Sequence, residues 1–187
     1  GVSTSVILQA AQEAGYQPEI VTVEPYPTNF LLQKQQEGKI KLIQEKAQKV
    51  PVKDLVQLGE NDLFFVDSTH TVKVGSEVNY LILEVLQQLP KNCYVHFHDI
   101  YFPYDYQRNT LSTELFFNKE SSLLHAFLIG NQKYEIAASL SMLHYANNQV
   151  LQSLFPNYIP QTNDEGLRHG SLQGEDFPSA TYLKTLY

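Results

Sequence analysis

The chain has 187 residues, of which 43% are apolar and 18% charged, which is enough for one domain (residues 1–187) with a core of its own. A net charge of −7 with no cluster of Lys and Arg speaks against a nucleic-acid partner. Cys93 is the single cysteine, which excludes a disulfide framework or a cysteine zinc site, and no apolar run reaches the length of a membrane span.

Residues 1–15 lack the basic start of a signal peptide. With the lone thiol, this sets the expectation of a cytoplasmic protein with no membrane partner. The same residues read as a helix. Ser3 and Thr4 are N-cap types, Val6, Ile7, Ala10, Ala11 and Ala14 mark an apolar face, and Gly15 suits the position past the end. Gly1-Val2-Ser3-Thr4-Ser5 also reads as the tail of a glycine-rich strand-to-helix turn. The free N–H groups of such a turn receive an anion.

Residues 20–24 form a strand ending in Glu24, about 20 residues after Ser3, as a dinucleotide fingerprint requires of its ribose-binding acid. Tyr26 and Phe30 follow, placed to flank a purine or to cover a sheet edge. A polar helix over 31–38 ends at Gly38. A third strand spans 40–44, and the turn at 47–51, which includes Gln48, lies where a base could sit. A short helix over 54–58 precedes Gly59.

Leu63 to Val66 have the apolar run of a buried parallel strand, halted by Asp67-Ser68-Thr69-His70. Val78, Leu81, Ile82, Val85, Leu86 and Leu89 then make one helical face, with Ser76 as N-cap, Glu77 in the first turn and Pro90 as the stop. Residues 93–97 form the next strand, which ends in His98-Asp99. His96 lies on the same face as His98, deeper in the sheet, and reads as a satisfied core histidine. Beyond them the aromatic loop of Tyr101, Phe102, Tyr104 and Tyr106 is suited to lining an acceptor pocket, capping the crevice or forming an oligomer contact. A helix is expected over 115–129 with Leu124, Phe127 and Leu128 in its core, then a strand over 134–140. A short helix over 148–154, a polar loop over 162–176 and a last strand over 181–186 complete the chain.

The pattern predicts an α/β fold with a mainly parallel sheet and a C-terminal antiparallel strand. Ligands of such sheets bind beyond the carboxyl ends of the strands. Asp67, His70, His98 and Asp99 are therefore expected to face one crevice, together with Glu24.

DSTHTVKVGSEVNY (67–80), VHFHDI (95–100) and YFPYDY (101–106) closely resemble segments of class I S-adenosylmethionine-dependent methyltransferases. The similar group is bacterial and carries "DSSH…K.GSDVNY" and "VHFHDI". GVSTS resembles the end of that family's glycine motif, VTVEP its acid after strand two, NKESSLLHAFL (118–128) a later segment that retains Glu120, and ATYLKTLY its last strand. The resemblance covers essentially the whole chain. It implies a Rossmann-like three-layer sandwich that binds S-adenosylmethionine, with Gly1, Ser3, Thr4, Glu24, Gln48, Asp67 and Ser68 on the cofactor. The family places a strand and one or two glycines ahead of Gly1. The expected fold therefore lacks that first strand, and residues 20–24 and 63–66 are expected to pair directly or to be bridged by a partner chain, as in a homo-oligomer. Lys49 stands where the family often has an acid near the adenine.

The resemblance implies methyl transfer, in which the protein positions an acceptor and removes its proton. The expected acceptor is the oxygen of a small molecule, sugar-derived or polyketide-like. His70 is the expected base, with His98 and Asp99 beside it and Tyr101, Tyr104 and Tyr106 on the acceptor. Asp67, His98 and Asp99 also make a candidate set for a divalent ion such as magnesium. Two alternatives stand beside this reading: a methyltransferase-like binding domain without turnover, and a metal-dependent hydrolase using Asp67, His98 and Asp99.

Overall fold

The computed structural model describes residues 1–106, 117–161 and 177–187; the expected loop over 162–176 and the first two residues of the helix expected over 115–129 lie outside them. The chain divides into two compact units, Gly1–Pro51 and Val52–Tyr187.

In the first unit, helix α1 (Val2–Glu13) leads to strand β1 (Val21–Val23), helix α2 (Asn29–Gln36) and strand β2 (Lys41–Ile43). β1 and β2 are parallel, as a crossover helix allows, with Thr22 opposite Leu42. α2 starts where Thr28 accepts a hydrogen bond from the Leu31 N–H, and it buries Leu31 against Ile40 and Leu42, with Leu8, Ile20 and Phe30 around them. A 3₁₀ turn, Ala47–Lys49, follows β2. The expected capping of α1 is corrected: Ser3 and Thr4 lie inside the helix, and Gly1 is the N-cap without a side-chain bond.

The second unit opens with the short helix α3 (Val52–Leu55), where a helix over 54–58 was expected. Strand β3 (Leu63–Val66) and strand β4 (Tyr94–His98) pair in parallel, with Phe65 opposite His96. The helical segment between them, residues 77–88, is termed α4. It begins as α-helix (Glu77–Tyr80), widens into a π turn (Leu81–Val85) and closes as α-helix (Leu86–Gln88). Its predicted apolar face is buried throughout, and Ser76 caps it by accepting from the Asn79 N–H. Leu89 leaves the helical region at φ −58°, ψ 138°, as the residue before a proline tends to do.

Helix α5 (Glu120–Leu128) buries Leu124, while Phe127 and Leu128 are half-buried. Strand β5 (Tyr134–Ser139) runs directly into helix α6 (Leu140–Leu154), which is capped by Ser139 and kinked at Asn147. Only its second half was expected as helix. Strand β6 (Ala180–Thr185) lies between β4 and β5 and is antiparallel to both, which gives the order β3-β4-β6-β5. Val95, Phe97, Thr181, Leu183 and Thr185 alternate into the core, whereas Tyr94, His96 and His98 project from the other face.

The architecture is the expected α/β, Rossmann-like one with a mixed sheet. Among the described residues β1 pairs with β2 and β3 with β4, in separate sheets. Each parallel pair is joined by its own local crossover helix, α2 or α4.

Candidate functional site

In the second unit, β3 ends at Val66 and delivers Asp67 and Ser68 to its carboxyl end. The loop beyond is held from several sides. Thr69 N–H donates to Glu77 Oε1 at 2.9 Å, and His70 N–H donates to Ser68 Oγ at 3.0 Å. His70 has φ +56°, a left-handed conformation rare for a residue with a side chain. Its carbonyl accepts from the N–H groups of Lys119 (2.9 Å) and Glu120 (3.2 Å), at the start of α5. That same helix start supplies the ring's partner: His70 Nδ1 lies 2.7 Å from Glu120 Oε2, which also accepts from Ser68 Oγ at 2.8 Å.

β4 delivers His98 and then Asp99, whose φ of +54° is also left-handed. Asp99 Oδ1 accepts from Ser179 Oγ at 2.8 Å. Its other oxygen lies 3.3 Å from His98 Nδ1 and 3.7 Å from His70 Nε2. Asp67 Oδ1 is 3.7 Å from His98 Nδ1. Asp67, His70, His98 and Asp99 thus converge at the carboxyl ends of two adjacent parallel strands. His98 lies between two carboxylates, but its Nδ1 has no hydrogen bond among the described residues.

Burial grades across the group. The side chains of Asp67, His98 and Asp99 are 41–45% exposed, that of His70 13%, and that of Glu120 not at all. Burial alone pushes the His70 pKa down. The hydrogen bond to Glu120 and then the charges of Glu120, Asp99 and Asp67 outweigh it, so the imidazole sits above its ordinary value. His96 behaves oppositely. Burial and, after it, the charge of His98 lower its pKa to about 4, with Asp67 opposing. Its ring stacks on Tyr182 at 4.3 Å and meets Phe65 edge-on at 4.9 Å. The expectation of a satisfied core histidine is corrected, since Nε2 is buried with no partner among the described residues.

The aromatic loop is packed more tightly than an open pocket lining. Tyr101 is buried and stacks on Phe177, while Tyr104 meets Tyr145 edge-on at 5.0 Å. The Tyr106 hydroxyl is buried; burial, followed by the nearby Glu120 charge, raises its pKa. Tyr104 and Tyr106 are half-buried and retain some accessible surface. Ser68, expected on the cofactor, donates its hydroxyl to Glu120 and accepts from the His70 N–H. Among the described residues, no group of three or more His, Cys, Asp or Glu side chains is placed to hold a metal ion. Asp67, His98 and Asp99, the candidate set for a divalent ion, do not make such a group.

Within the first unit, Glu24 is half-buried at the carboxyl end of β1, with Oε1 fixed by the Tyr26 N–H at 2.9 Å. Its own N–H donates to the Ile43 carbonyl. Gln48 lies beyond the carboxyl end of β2, in the 3₁₀ turn. A Cβ at Gly1 would come within 3.1 Å of Thr28 Oγ1, so the backbone passes close to the loop that follows β1. Thr4 is buried within α1.

Two residues had no assigned role before the structure. Glu120 belonged to a recognised segment, but nothing in its local sequence tied it to a histidine fifty positions earlier. Ser179 carried no signal.

A family model described as a methyltransferase domain matches residues 1–100, which takes in both parallel strand pairs and ends just past Asp99. No curated protein and no solved structure matches the chain.

Proposed function

Because the chain belongs to the methyltransferase-domain family, we propose that it is an S-adenosylmethionine-dependent O-methyltransferase acting on a small hydroxylated molecule. The observation that carries this reading is the His70 imidazole, held at Nδ1 by Glu120 with Nε2 turned toward Asp99 at the strand ends. The hydrogen bond and charge of Glu120 raise its pKa above the ordinary value, which makes it a stronger base.

S-adenosylmethionine is the family's usual cofactor, and when bound it supplies a methyl group activated by a sulfonium centre. Each unit by itself offers residues suited to its polar parts. Glu24, fixed by the Tyr26 N–H, is a carboxylate of the kind that accepts from ribose hydroxyls. Asp67 is an exposed acceptor at the end of β3. Gly1, Ser3 and Gln48 are further candidate contacts. His70 then has two tasks: Nε2 accepts the proton of the acceptor hydroxyl, and the Glu120 carboxylate stabilises the imidazolium that results. His98 and Asp99 orient the acceptor. Tyr104 and Tyr106 offer ring faces to a sugar-derived or polyketide-like skeleton, whereas Tyr101 supports them from the core.

The test is calorimetric titration with S-adenosylhomocysteine, followed by transfer of a labelled methyl group to a panel of hydroxylated small molecules. Binding, with transfer that is lost in His70→Ala, is the expected outcome. Absence of binding overturns the reading. Binding without transfer to any acceptor favours a methyltransferase-like binding domain.

A further inference from the structure

We infer that Glu120 is the positioning residue for His70: its buried carboxylate fixes the imidazole as the Nδ1–H tautomer and leaves the Nε2 lone pair facing the strand ends. This rests on the reading of His70 as the base. An ionised carboxylate only accepts, so the nitrogen 2.7 Å from Glu120 Oε2 carries the proton. Nε2, at 3.7 Å from Asp99 Oδ2, is beyond hydrogen-bond distance of it.

Three further features point the same way. The N–H groups of Lys119 and Glu120 hold the His70 carbonyl, so one helix start grips both the backbone and the ring of one residue. Ser68 bridges the two, donating to Glu120 and accepting from the His70 N–H. Glu120 Oε1 is buried with no partner among the described residues. A buried unsatisfied acceptor costs stability, so Glu120 does not serve packing alone.

The experiment is two-bond ¹H–¹⁵N correlation NMR of histidine-labelled protein, read at a pH where His70 is neutral, with steady-state kinetics on the same variants. The wild type is expected to show His70 as the Nδ1–H tautomer. Glu120→Gln should retain it, since the amide oxygen still accepts. Glu120→Ala should move it toward Nε2–H, with kcat falling roughly 10²- to 10⁴-fold, the range of a general base's contribution, and KM little changed. An Nε2–H tautomer in the wild type, or an unchanged tautomer in Glu120→Ala, overturns the inference. If Glu120→Ala does not fold, the tautomers of the wild type and of Glu120→Gln decide: an Nε2–H tautomer in either overturns the inference. The tautomer is read without cofactor or acceptor. A wild type that holds it but neither binds S-adenosylhomocysteine nor transfers methyl overturns the functional reading separately.

Discussion

His96 is stacked on Tyr182 and resists protonation, with a pKa near 4 against about 6.5 for a free imidazole. The unfolded chain therefore binds its proton first as the pH falls. The associated stability is fully present above about 6.5 and is lost toward pH 4. His96→Phe keeps the ring packing and removes both the proton and the unpartnered Nε2. Urea unfolding of this variant should show a clear gain in midpoint at pH 5 and a smaller one at pH 7.5; equal gains would mean that burial of Nε2 matters and titration does not. His70 has the reverse sign. Its pKa is raised, so its contribution is fully present below the unfolded value and fades as the pH rises through the folded one. An NMR titration should place its midpoint above that of a histidine peptide, and Asp99→Asn, which keeps an acceptor for Ser179, should lower that midpoint. His70 and Asp99 both hold a left-handed backbone at the ends of neighbouring strands, and residues in such conformations concentrate at functional sites.

Among the elements, α4 joins the core to the site. Its buried face carries Val78, Ile82, Val85 and Leu86, all with no exposed surface, while Glu77 in its first turn holds the Thr69 N–H. Ile82→Ala should cost about 2–5 kcal/mol, the range for a large aliphatic truncated in a close-packed interior. Glu77→Ala should cost about 1 kcal/mol, the usual value of one lost hydrogen bond, yet should lower methyl transfer more than Ile82→Ala does when both are assayed well below their melting temperatures. Chemical denaturation and rates on the two variants check this pair of expectations. The face of α4 was legible because apolar spacing records burial directly; the π turn was not, because the same residues fill either helical geometry. The first half of α6 was missed for a related reason: Leu140 to Asn147 follow β5 without a breaking residue, and only the Ser139 cap marks the boundary. The strand-end cluster was legible because topology alone brings Asp67, His70, His98 and Asp99 together. Glu120 was not assigned to it, since contact across fifty residues leaves no mark on local pattern.

For the whole molecule, the division at Pro51 gives each unit a sheet and a core of its own. Hydrogen exchange should accordingly find slow amides around Leu42 in one and around Val95 and Leu183 in the other, and Leu31→Ala should speed exchange in β1 and β2. The placement of β6 has a kinetic counterpart. Its two neighbours come from residues 94–98 and 134–139, so the ladders it makes span about 40 to 90 positions of sequence. β5 has no other strand to join among the described residues. Residues 134–139 therefore wait, during folding, on a segment made some forty residues later. Such distant pairing slows the search for the native state, and until 180–185 arrive, β4 offers an open edge to any passing strand.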